Sequence, residues 1–337
     1  MATIKDVARL AGVSPTTVSI VLNRQDKERN ISEATKLRIL NSIEMLNYRP
    51  NTNARRLRSS DGSKPIIVLF WPIDYLIHIM SVVINDLLTR IHSRALPCEL
   101  VIQTYEPDNY SQISGFIRQN EYDAAIIGCA SQKIIDDIDA LETKCPIVFL
   151  NRESRSHAYV TTDFEKAMQE TAQIFARKGY QNIGVLTSSQ SNAASERRLH
   201  LFIQACSELG IAVPEKYTVY AESTSKSGFN AMERYLSLDS YPKAVFSNSD
   251  IIALGALAAC NRKGVKIPED IEILAMELMD PQFNEFSIPA LTTIAIPTNE
   301  ICGHIIDYII KKLNNSFHLP ERIQCDAKLT VRESFII

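Results

Sequence analysis

Residues 3–23 read TIKDVARLAGVSPTTVSIVLN, and their spacing predicts two short helices joined by a tight turn. Thr3 can cap the first helix, and Gly12 can adopt the left-handed conformation that ends it. Ser14 then occupies the N-cap and Pro15 the first position of the second helix, where its missing N–H costs nothing. Apolar residues recur at helical spacing in both segments: Ile4, Val7, Ala8, Ala11, Val18, Val21 and Leu22. The pattern predicts a helix-turn-helix motif, with a capped hairpin inside a larger all-α domain as the alternative.

A third helix is predicted to complete a small core. Ser32 is suited to cap this helix, which is expected to end near residues 47–50. Apolar residues expected on its buried side are Ala34, Leu37, Ile39, Leu40, Ile43 and Leu46. Residues 1–64 hold 12 of the 36 Lys and Arg but 6 of the 39 Asp and Glu, a net charge of +6, whereas the remainder carries −9. This concentration of positive charge favours a DNA-binding head.

Particular runs of residues extend this pattern. The head contains Ile4-Lys5-Asp6-Val7-Ala8, Ala11-Gly12-Val13-Ser14, Thr17-Val18-Ser19 and Leu22-Asn23. After it come Asn47-Tyr48-Arg49-Pro50-Asn51 and Ala54-Arg55-Arg56-Leu57. Together these runs resemble the helix-turn-helix head and the hinge helix of the LacI/GalR family of bacterial transcription regulators. The resemblance implies a DNA-binding domain over residues 1–49 and a hinge helix or linker over residues 50–62.

In that family the hinge folds only on operator DNA, where two hinges enter the minor groove and each inserts a leucine. The resemblance assigns this role to Leu57, with Asn51, Ala54 and Arg55 beside it. The composition of residues 51–60 agrees with a hinge that folds only on DNA. Its two apolar residues, Ala54 and Leu57, bury too little surface to stabilise an isolated helix. A solvated basic linker is the alternative.

The second helix carries the predicted base contacts. Residues expected to face base edges are Pro15, Thr16 and Ile20. Residues expected to hold the DNA backbone are Thr17, Ser19, Asn23 and Tyr48. The family usually has arginine at the position of Ile20, and arginine can donate two hydrogen bonds to guanine. Because isoleucine donates none, we expect Ile20 to pack on a thymine methyl and to change the preferred half-site.

Beyond residue 64 the chain alternates apolar runs with segments of helical period. Predicted strands are 65–71, 99–103, 124–129, 146–150, 183–186, 244–246 and 271–276, and predicted helices include 164–178 and 251–263. The alternation predicts an α/β domain of two parallel-sheet lobes. The resemblance implies a type I periplasmic-binding-protein-like effector and dimerisation domain over 63–337, with three crossings between lobes. Lobe 1 is expected at about 63–161 and 292–325, and lobe 2 at about 162–291 and 326–337.

The resemblance also implies effector-binding residues in the cleft, near the carboxyl ends of the strands. These candidates are Asp74, Tyr75, Arg198, Ser249, Asp250 and Glu277. Ser249 and Glu277 replace the family's usual asparagine and aspartate, and the extra methylene of Glu277 is expected to change ligand selection. Structural roles are the alternatives: Asp250 can cap the helix that follows it, and Arg198 can pair with an acid such as Glu196.

Other function classes lack their motifs. The chain has no Gly-rich phosphate loop, no His-Glu helix of a metal hydrolase and no nucleophile elbow, so no enzyme activity is expected. Six histidines show no metal-ligand spacing, and neither a metal nor a cofactor is expected. Seven cysteines without a Cys-x-x-Cys pair fit a reducing compartment. The absence of a signal peptide and of a long apolar run predicts a cytoplasmic protein without a membrane partner.

These features predict a sequence-specific DNA-binding transcription regulator, most simply a repressor. It is expected to bind a palindromic operator as a homodimer, because a two-fold site needs two heads at fixed spacing. By the family's habit, a small-molecule effector in the cleft, a sugar or sugar derivative, is expected to control DNA affinity. The alternatives are a constitutive regulator with a non-responsive pocket and a co-repressor-dependent regulator that binds a purine or nucleoside. The basic head disfavours a periplasmic solute-binding protein.

Overall fold

The computed structural model describes residues 4–22, 29, 31–46, 64–73, 77–107, 109–118, 122–143, 145–189, 193–314 and 319–337. The predicted cap Thr3 and the predicted hinge over residues 50–62 lie outside these ranges. The predicted functional residues that also lie outside them are Asn23, Tyr48, Asn51, Ala54, Arg55, Leu57, Asp74 and Tyr75.

Three helices form the N-terminal head: α1 (Ile4–Ala11), α2 (Pro15–Leu22) and α3 (Glu33–Met45). Gly12 has a φ of 67°, the left-handed conformation that ends α1 as predicted. Ser14 Oγ accepts a hydrogen bond from the backbone N–H of Thr17 at 3.1 Å, and Ser32 Oγ accepts one from Thr35 at 3.3 Å. Both of these N-caps are confirmed, and the predicted helix-turn-helix is present.

A small apolar core joins the three helices. Its buried residues are Val7, Ala8, Ala11, Val18, Val21 and Ile39. The prediction that Ala34, Leu37 and Leu40 are buried is wrong, because Ala34 is exposed and the two leucines are 61% and 45% exposed. Ile39, Ile43 and Leu46 pack towards the core instead. Their spacings of four and three residues place them on one helix face, which turns the other three side chains outwards.

The first lobe is built on a six-stranded sheet. Its strands are β1 (Ile66–Pro72), β2 (Glu99–Tyr105), β3 (Ala124–Gly128), β4 (Ile147–Leu150), β5 (Ala158–Asp163) and β11 (Arg322–Asp326). They lie in the order β11-β5-β4-β3-β1-β2, and all neighbours are parallel. One face packs on α4 (Ile77–Ser93) and α12 (Thr298–Leu313), and the other on α5 (Tyr110–Arg118) and α6 (Gln132–Asp139). All of β3 and β4 is buried, as expected for strands covered on both faces.

The second lobe repeats this plan. Its strands are β6 (Gly184–Ser188), β7 (Thr218–Ala221), β8 (Ala244–Ser247), β9 (Glu272–Glu277), β10 (Thr292–Ala295) and β12 (Lys328–Thr330). Their order is β12-β10-β9-β8-β6-β7, and the β10–β12 pair alone is antiparallel among these neighbours. The helices are α7 (Glu165–Arg177), α8 (Ala193–Glu208), α9 (Ser225–Leu236), α10 (Asp250–Lys263) and the short α11 (Pro281–Glu285). Within the described ranges, no helix is long and apolar enough to cross a membrane.

Three segments of chain cross between the two sheets: β5 to α7, β10 to α12, and β11 to β12. The expected lobe boundaries at 161/162 and at 292 are wrong by a few residues. Thr162 and Asp163 still pair with β11, and residues 292–295 pair with β9 in the second sheet. The hydrogen bonds of each ladder, rather than the apolar pattern of the segment, decide to which sheet these residues belong.

Candidate DNA-binding surface and effector cavity

Helix α2 brings the predicted base-contacting residues to the surface. Val18 and Val21 are buried in the head core, which turns the opposite side of α2 outwards. The residues that remain exposed or half-buried are Pro15, Thr16, Thr17, Ser19 and Ile20. In helix-turn-helix proteins the N-terminal residues of the second helix contact base edges. Pro15, Thr16 and Thr17 occupy that end of α2, and Ser19 and Ile20 lie in its next turn.

Thr17 is held beside the N-terminus of α2. Its Oγ1 lies 2.9 Å from Ser14 Oγ, which also caps the helix. The N-terminus of a helix carries partial positive charge, and its N–H groups are suited to bind phosphate. Thr17 therefore lies where a phosphate can bind, and its contact with the DNA backbone stays a prediction.

A cavity of about 340 Å³ lies between the two lobes. Its walls include residues at or just after the carboxyl ends of strands in both sheets. Five of these lining residues are Trp71, Cys129, Arg152, Phe164 and Leu278. Because the carboxyl ends of parallel strands meet at one edge, α/β proteins bind ligands there, and this volume is typical of small-molecule sites. The positions of Trp71 and Leu278 confirm the expectation that these strand ends face the cleft.

Arg198 lies in α8, is 7% exposed and lines the cavity. Its guanidinium carbon is 5.9 Å from the centroid of the Phe164 ring, a distance at which a cation attracts an aromatic face. Of the predicted effector residues that the structure describes, Arg198 alone is on the cavity wall.

Arg152 supplies a second guanidinium to the cavity wall. Its Nε donates to the carbonyl of Ala130 at 2.9 Å, and its Nη1 donates to the carbonyl of Asn151 at 2.7 Å. These bonds fix the side chain across the ends of β3 and β4. The same wall includes Cys129, whose pKa burial raises to about 12 despite the nearby arginines. Its thiol is therefore neutral near pH 7 and contributes packing rather than charge.

Asp250 and Ser249 lie away from the described cavity lining, contrary to the expectation for effector residues. Asp250 is fully buried, and its Oδ2 accepts hydrogen bonds from the backbone N–H groups of Leu278 and Met279, both at 3.0 Å. Its Oδ1 accepts from Ile251 N at 3.0 Å. Ser249 is the N-cap residue of α10 and is also buried. Asp250 therefore takes the structural role that was the alternative, stabilising the start of α10 and the end of β9.

Glu277 is likewise turned into the second lobe. Its Oε2 accepts hydrogen bonds from Thr293 Oγ1 at 2.8 Å and Asn284 Nδ2 at 3.2 Å, and it lies 3.7 Å from a guanidinium nitrogen of Arg332. Burial raises the pKa of Glu277 and also that of Asp250. Its carboxylate joins β9 to β10 and α11, and Glu277 is not among the residues that line the cavity; the expectation that it grips the ligand stays a prediction.

Cys129, Arg152 and Phe164 are among the cavity residues that sequence reasoning missed. Each follows the carboxyl end of a strand by one or two positions, at β3, β4 and β5. The rule that ligands bind at such ends would have found the first two, since their strands were predicted. Strand β5 was not predicted, so Phe164 had no such indication.

Comparison with known proteins agrees with this arrangement. Residues 3–51 match the model of the bacterial regulatory proteins of the lacI family, and residues 172–335 match that of a periplasmic binding protein-like domain. The chain is 29% identical over 349 residues to the probable HTH-type transcriptional repressor ExuR of Bacillus subtilis (strain 168). That match covers 99% of this chain and 98% of the relative.

Solved structures extend the likeness. A LacI family transcription regulator from Clostridium acetobutylicum is 31% identical, with a TM-score of 0.76 over 80% of this chain and 100% of that one. The lac repressor dimer bound to operator and the anti-inducer ONPF shares the fold at 20% identity, with a TM-score of 0.71 over 100% of this chain and 99% of that one. With the helix-turn-helix and the two-lobed body in place, the chain belongs to the LacI family of bacterial regulatory proteins and is a DNA-binding transcriptional repressor, not an enzyme.

Proposed function

We propose that this repressor binds a palindromic operator as a homodimer, and that a small molecule in the cavity between the lobes controls its affinity for DNA. The observation that carries the proposal is the position of the 340 Å³ cavity, because both lobes line it. A ligand that contacts both lobes binds differently when their relative position changes. Such a difference in affinity is the thermodynamic requirement for control of a distant DNA site.

The cavity wall favours a sugar or sugar derivative. Its polar uncharged residues include Gln132, Asn151, Thr161, Thr162 and Gln324, which can exchange hydrogen bonds with hydroxyl groups. Trp71 and Phe164 add aromatic surface that suits the apolar face of a sugar ring. The described wall contains three arginines and three acidic residues, so its formal charges balance and do not require a strongly charged ligand. A purine that stacks on the same aromatic residues is the second candidate.

A second copy of the chain is the proposed partner of two exposed apolar segments. Phe283, Phe286 and Ile288 follow β9 and are 57%, 75% and 90% exposed. In the first lobe, Ile77 at the start of α4 is 63% exposed. A groove lined by residues of both α4 and α11 places these elements close together. Apolar surface of this extent is typical of protein interfaces, and the similar lac repressor structure is a dimer.

In this proposal α2 lies in the major groove. Pro15, Thr16 and Ile20 contact base edges, and Ile20 packs on a thymine methyl. Thr17 and Ser19 position the helix on the phosphates, together with Asn23 and Tyr48. Residues 50–62 form the hinge, in which Leu57 inserts into the minor groove beside Asn51, Ala54 and Arg55.

Two further modes of control fit the same DNA-binding head. A constitutive repressor would bind its operator regardless of added small molecules, and a co-repressor-dependent one would require a purine or nucleoside. The buried Arg198 on the cavity wall favours a working ligand site over a non-responsive one.

The deciding experiment selects bound duplexes from randomised DNA with the full-length protein, first without ligand and then with individual sugars, sugar acids and purines. We expect a two-fold symmetric site, and one ligand class that changes its affinity. Melting of the protein in the presence of each compound provides an independent measure of binding. Enrichment of an asymmetric site would overturn the dimeric mode, and a site unaffected by a ligand that does raise the melting temperature would overturn the coupling.

A further inference from the structure

Three side chains of types that can bind metal ions converge in the first lobe, close to where the chain crosses to the second lobe. Glu300 and His304 lie four residues apart near the start of α12, a spacing that places both on one face of the helix. Cys325 lies on β11, which pairs with β5 at the edge of the sheet. One ligand atom from each of the three side chains lies within 4.8 Å of the other two.

We propose that Glu300, His304 and Cys325 bind a zinc ion. Zinc accepts thiolate sulfur, imidazole nitrogen and carboxylate oxygen, and tetrahedral ligand atoms lie about 3.3–3.8 Å apart at its usual bond lengths. Movements of about 1 Å would bring the three atoms from their present separations to that geometry. Cys325 is 2% exposed and held in β11, whereas Glu300 is exposed and His304 half-buried, so the two helix side chains can make the adjustment.

The ligand types select the metal. Thiolate and imidazole bind zinc in preference to magnesium or calcium, which favour sites made of oxygen atoms. Three protein ligands leave the fourth position of a tetrahedral ion to water. Glu300 and Asp326 add negative charge around Cys325, which Lys328 partly offsets.

An entry route and a structural consequence follow from the position of the site. Glu300 also lines an open groove of about 770 Å³ between α4 and α11, through which an ion can reach the cluster. Helix α12 begins just after the crossing from β10, and Cys325 lies just before the crossing to β12. The ion would therefore join two of the three segments that connect the lobes. None of its three ligands lines the 340 Å³ cavity, so the proposal does not depend on the effector.

Binding is measured on the full-length protein without a polyhistidine tag, after treatment with a chelator. Calorimetric titration with zinc chloride should give one ion per chain, and magnesium chloride should give no comparable heat. Cys325→Ser and His304→Gln should each weaken zinc binding by more than the roughly 10- to 100-fold lost with an outer-sphere partner. Cys98→Ser and His92→Gln, which change residues of the same types outside the cluster, should leave the affinity unchanged.

Cobalt(II) gives a second readout that identifies the sulfur ligand. The cobalt-loaded protein should show thiolate-to-cobalt charge-transfer absorption, which Cys325→Ser removes and Cys98→Ser retains. If Cys325→Ser does not fold, the zinc affinities of Glu300→Gln and His304→Gln, measured by calorimetry, test the proposal instead, because these two residues lie on the accessible side of the site. Zinc affinity equal in the wild type and in both of these variants would overturn the proposal, as would charge-transfer absorption that survives Cys325→Ser.

Discussion

The side-chain amide of Asn284 donates a hydrogen bond to Asp250 Oδ2 at 3.0 Å, and this buried contact joins the start of α10 to α11. The same oxygen accepts from the backbone of Leu278, a residue of the cavity wall. Phe283 and Phe286, which lie one residue before and two residues after Asn284, carry the exposed apolar surface of the proposed dimer. Asp250 therefore fixes the short segment between the cavity and the proposed interface, and its importance is structural.

Asp250→Ala should destabilise the protein by about 3 kcal/mol or more, because it leaves several buried N–H donors without their acceptor. Urea denaturation measures this loss as a change in the free energy of unfolding. Asp239→Ala, at an exposed position, is the matched control and should change stability by no more than about 0.5 kcal/mol. Equal stability of the two variants would contradict the structural role.

Glu277 should make the protein less stable as pH rises. Burial raises the pKa of Glu277 above its unfolded value, so the folded chain keeps this proton to higher pH. Its stabilising contribution is complete below the unfolded pKa and is lost as pH rises through the folded pKa. Glu277→Gln should therefore reduce the fall in unfolding free energy as pH rises from the unfolded pKa of glutamate towards neutral pH.

Comparing the pH profiles of Glu277→Gln and wild type separates the titration of Glu277 from that of other acidic groups. One of these is Asp139: burial acts to raise its pKa, but hydrogen bonds from Ser154 and the nearby backbone lower it overall. Glu170→Gln on the exposed side of α7 should keep the wild-type pH profile. Parallel profiles for wild type and Glu277→Gln would show that the buried carboxyl does not titrate in this range.

Trp71 should report effector binding. It is the single tryptophan of the chain, is 1% exposed and lines the cavity, so its emission should change as ligand saturates the site. Arg198→Ala should raise the ligand concentration needed by about tenfold or more, the effect of losing a hydrogen bond to a charged group. Arg177→Ala removes an exposed arginine of α7 and should leave the titration unchanged. A wild-type affinity in Arg198→Ala would exclude this arginine as a ligand contact.

Ile20→Arg should shift the base preference of one operator position towards G·C by about 1–3 kcal/mol, because arginine can donate two hydrogen bonds to guanine. Selection from randomised duplexes measures the shift directly. Leu37→Arg adds the same charge at an exposed position of α3 and serves as the control for non-specific affinity. An unchanged preference at every position would mean that residue 20 does not face a base.

Phe286→Asp should weaken self-association by about tenfold or more if this residue is an interface anchor. Sedimentation across a range of protein concentrations measures the dimer, and operator affinity should fall with it. Leu209→Asp introduces the same charge at a residue that is 44% exposed and directly follows α8. Loss of the dimer in both variants, or in neither, would contradict the assignment of this surface.

The sequence by itself determined the features that depend on local contacts. Gly12 and Ser14 define the turn of the head because a left-handed residue and an N-cap act within one turn of a helix. The continuous apolar runs of β3 and β4 identified central strands, since these are buried on both faces. Strands β5, β7 and β10 to β12 lie at or next to sheet edges and were not predicted.

Only the tertiary structure decided where polar side chains point. Asp250 matches the family pattern in sequence and Glu277 stands in the place of its usual aspartate. Both carboxylates nevertheless satisfy buried donors inside the second lobe, because leaving those donors unpaired costs free energy. Glu300 and His304 show their four-residue spacing in sequence, but only the pairing of β11 with β5 brings Cys325 to them. The helical and strand periods determine on which face of an element a residue lies. Long-range packing determines which other elements contact that face.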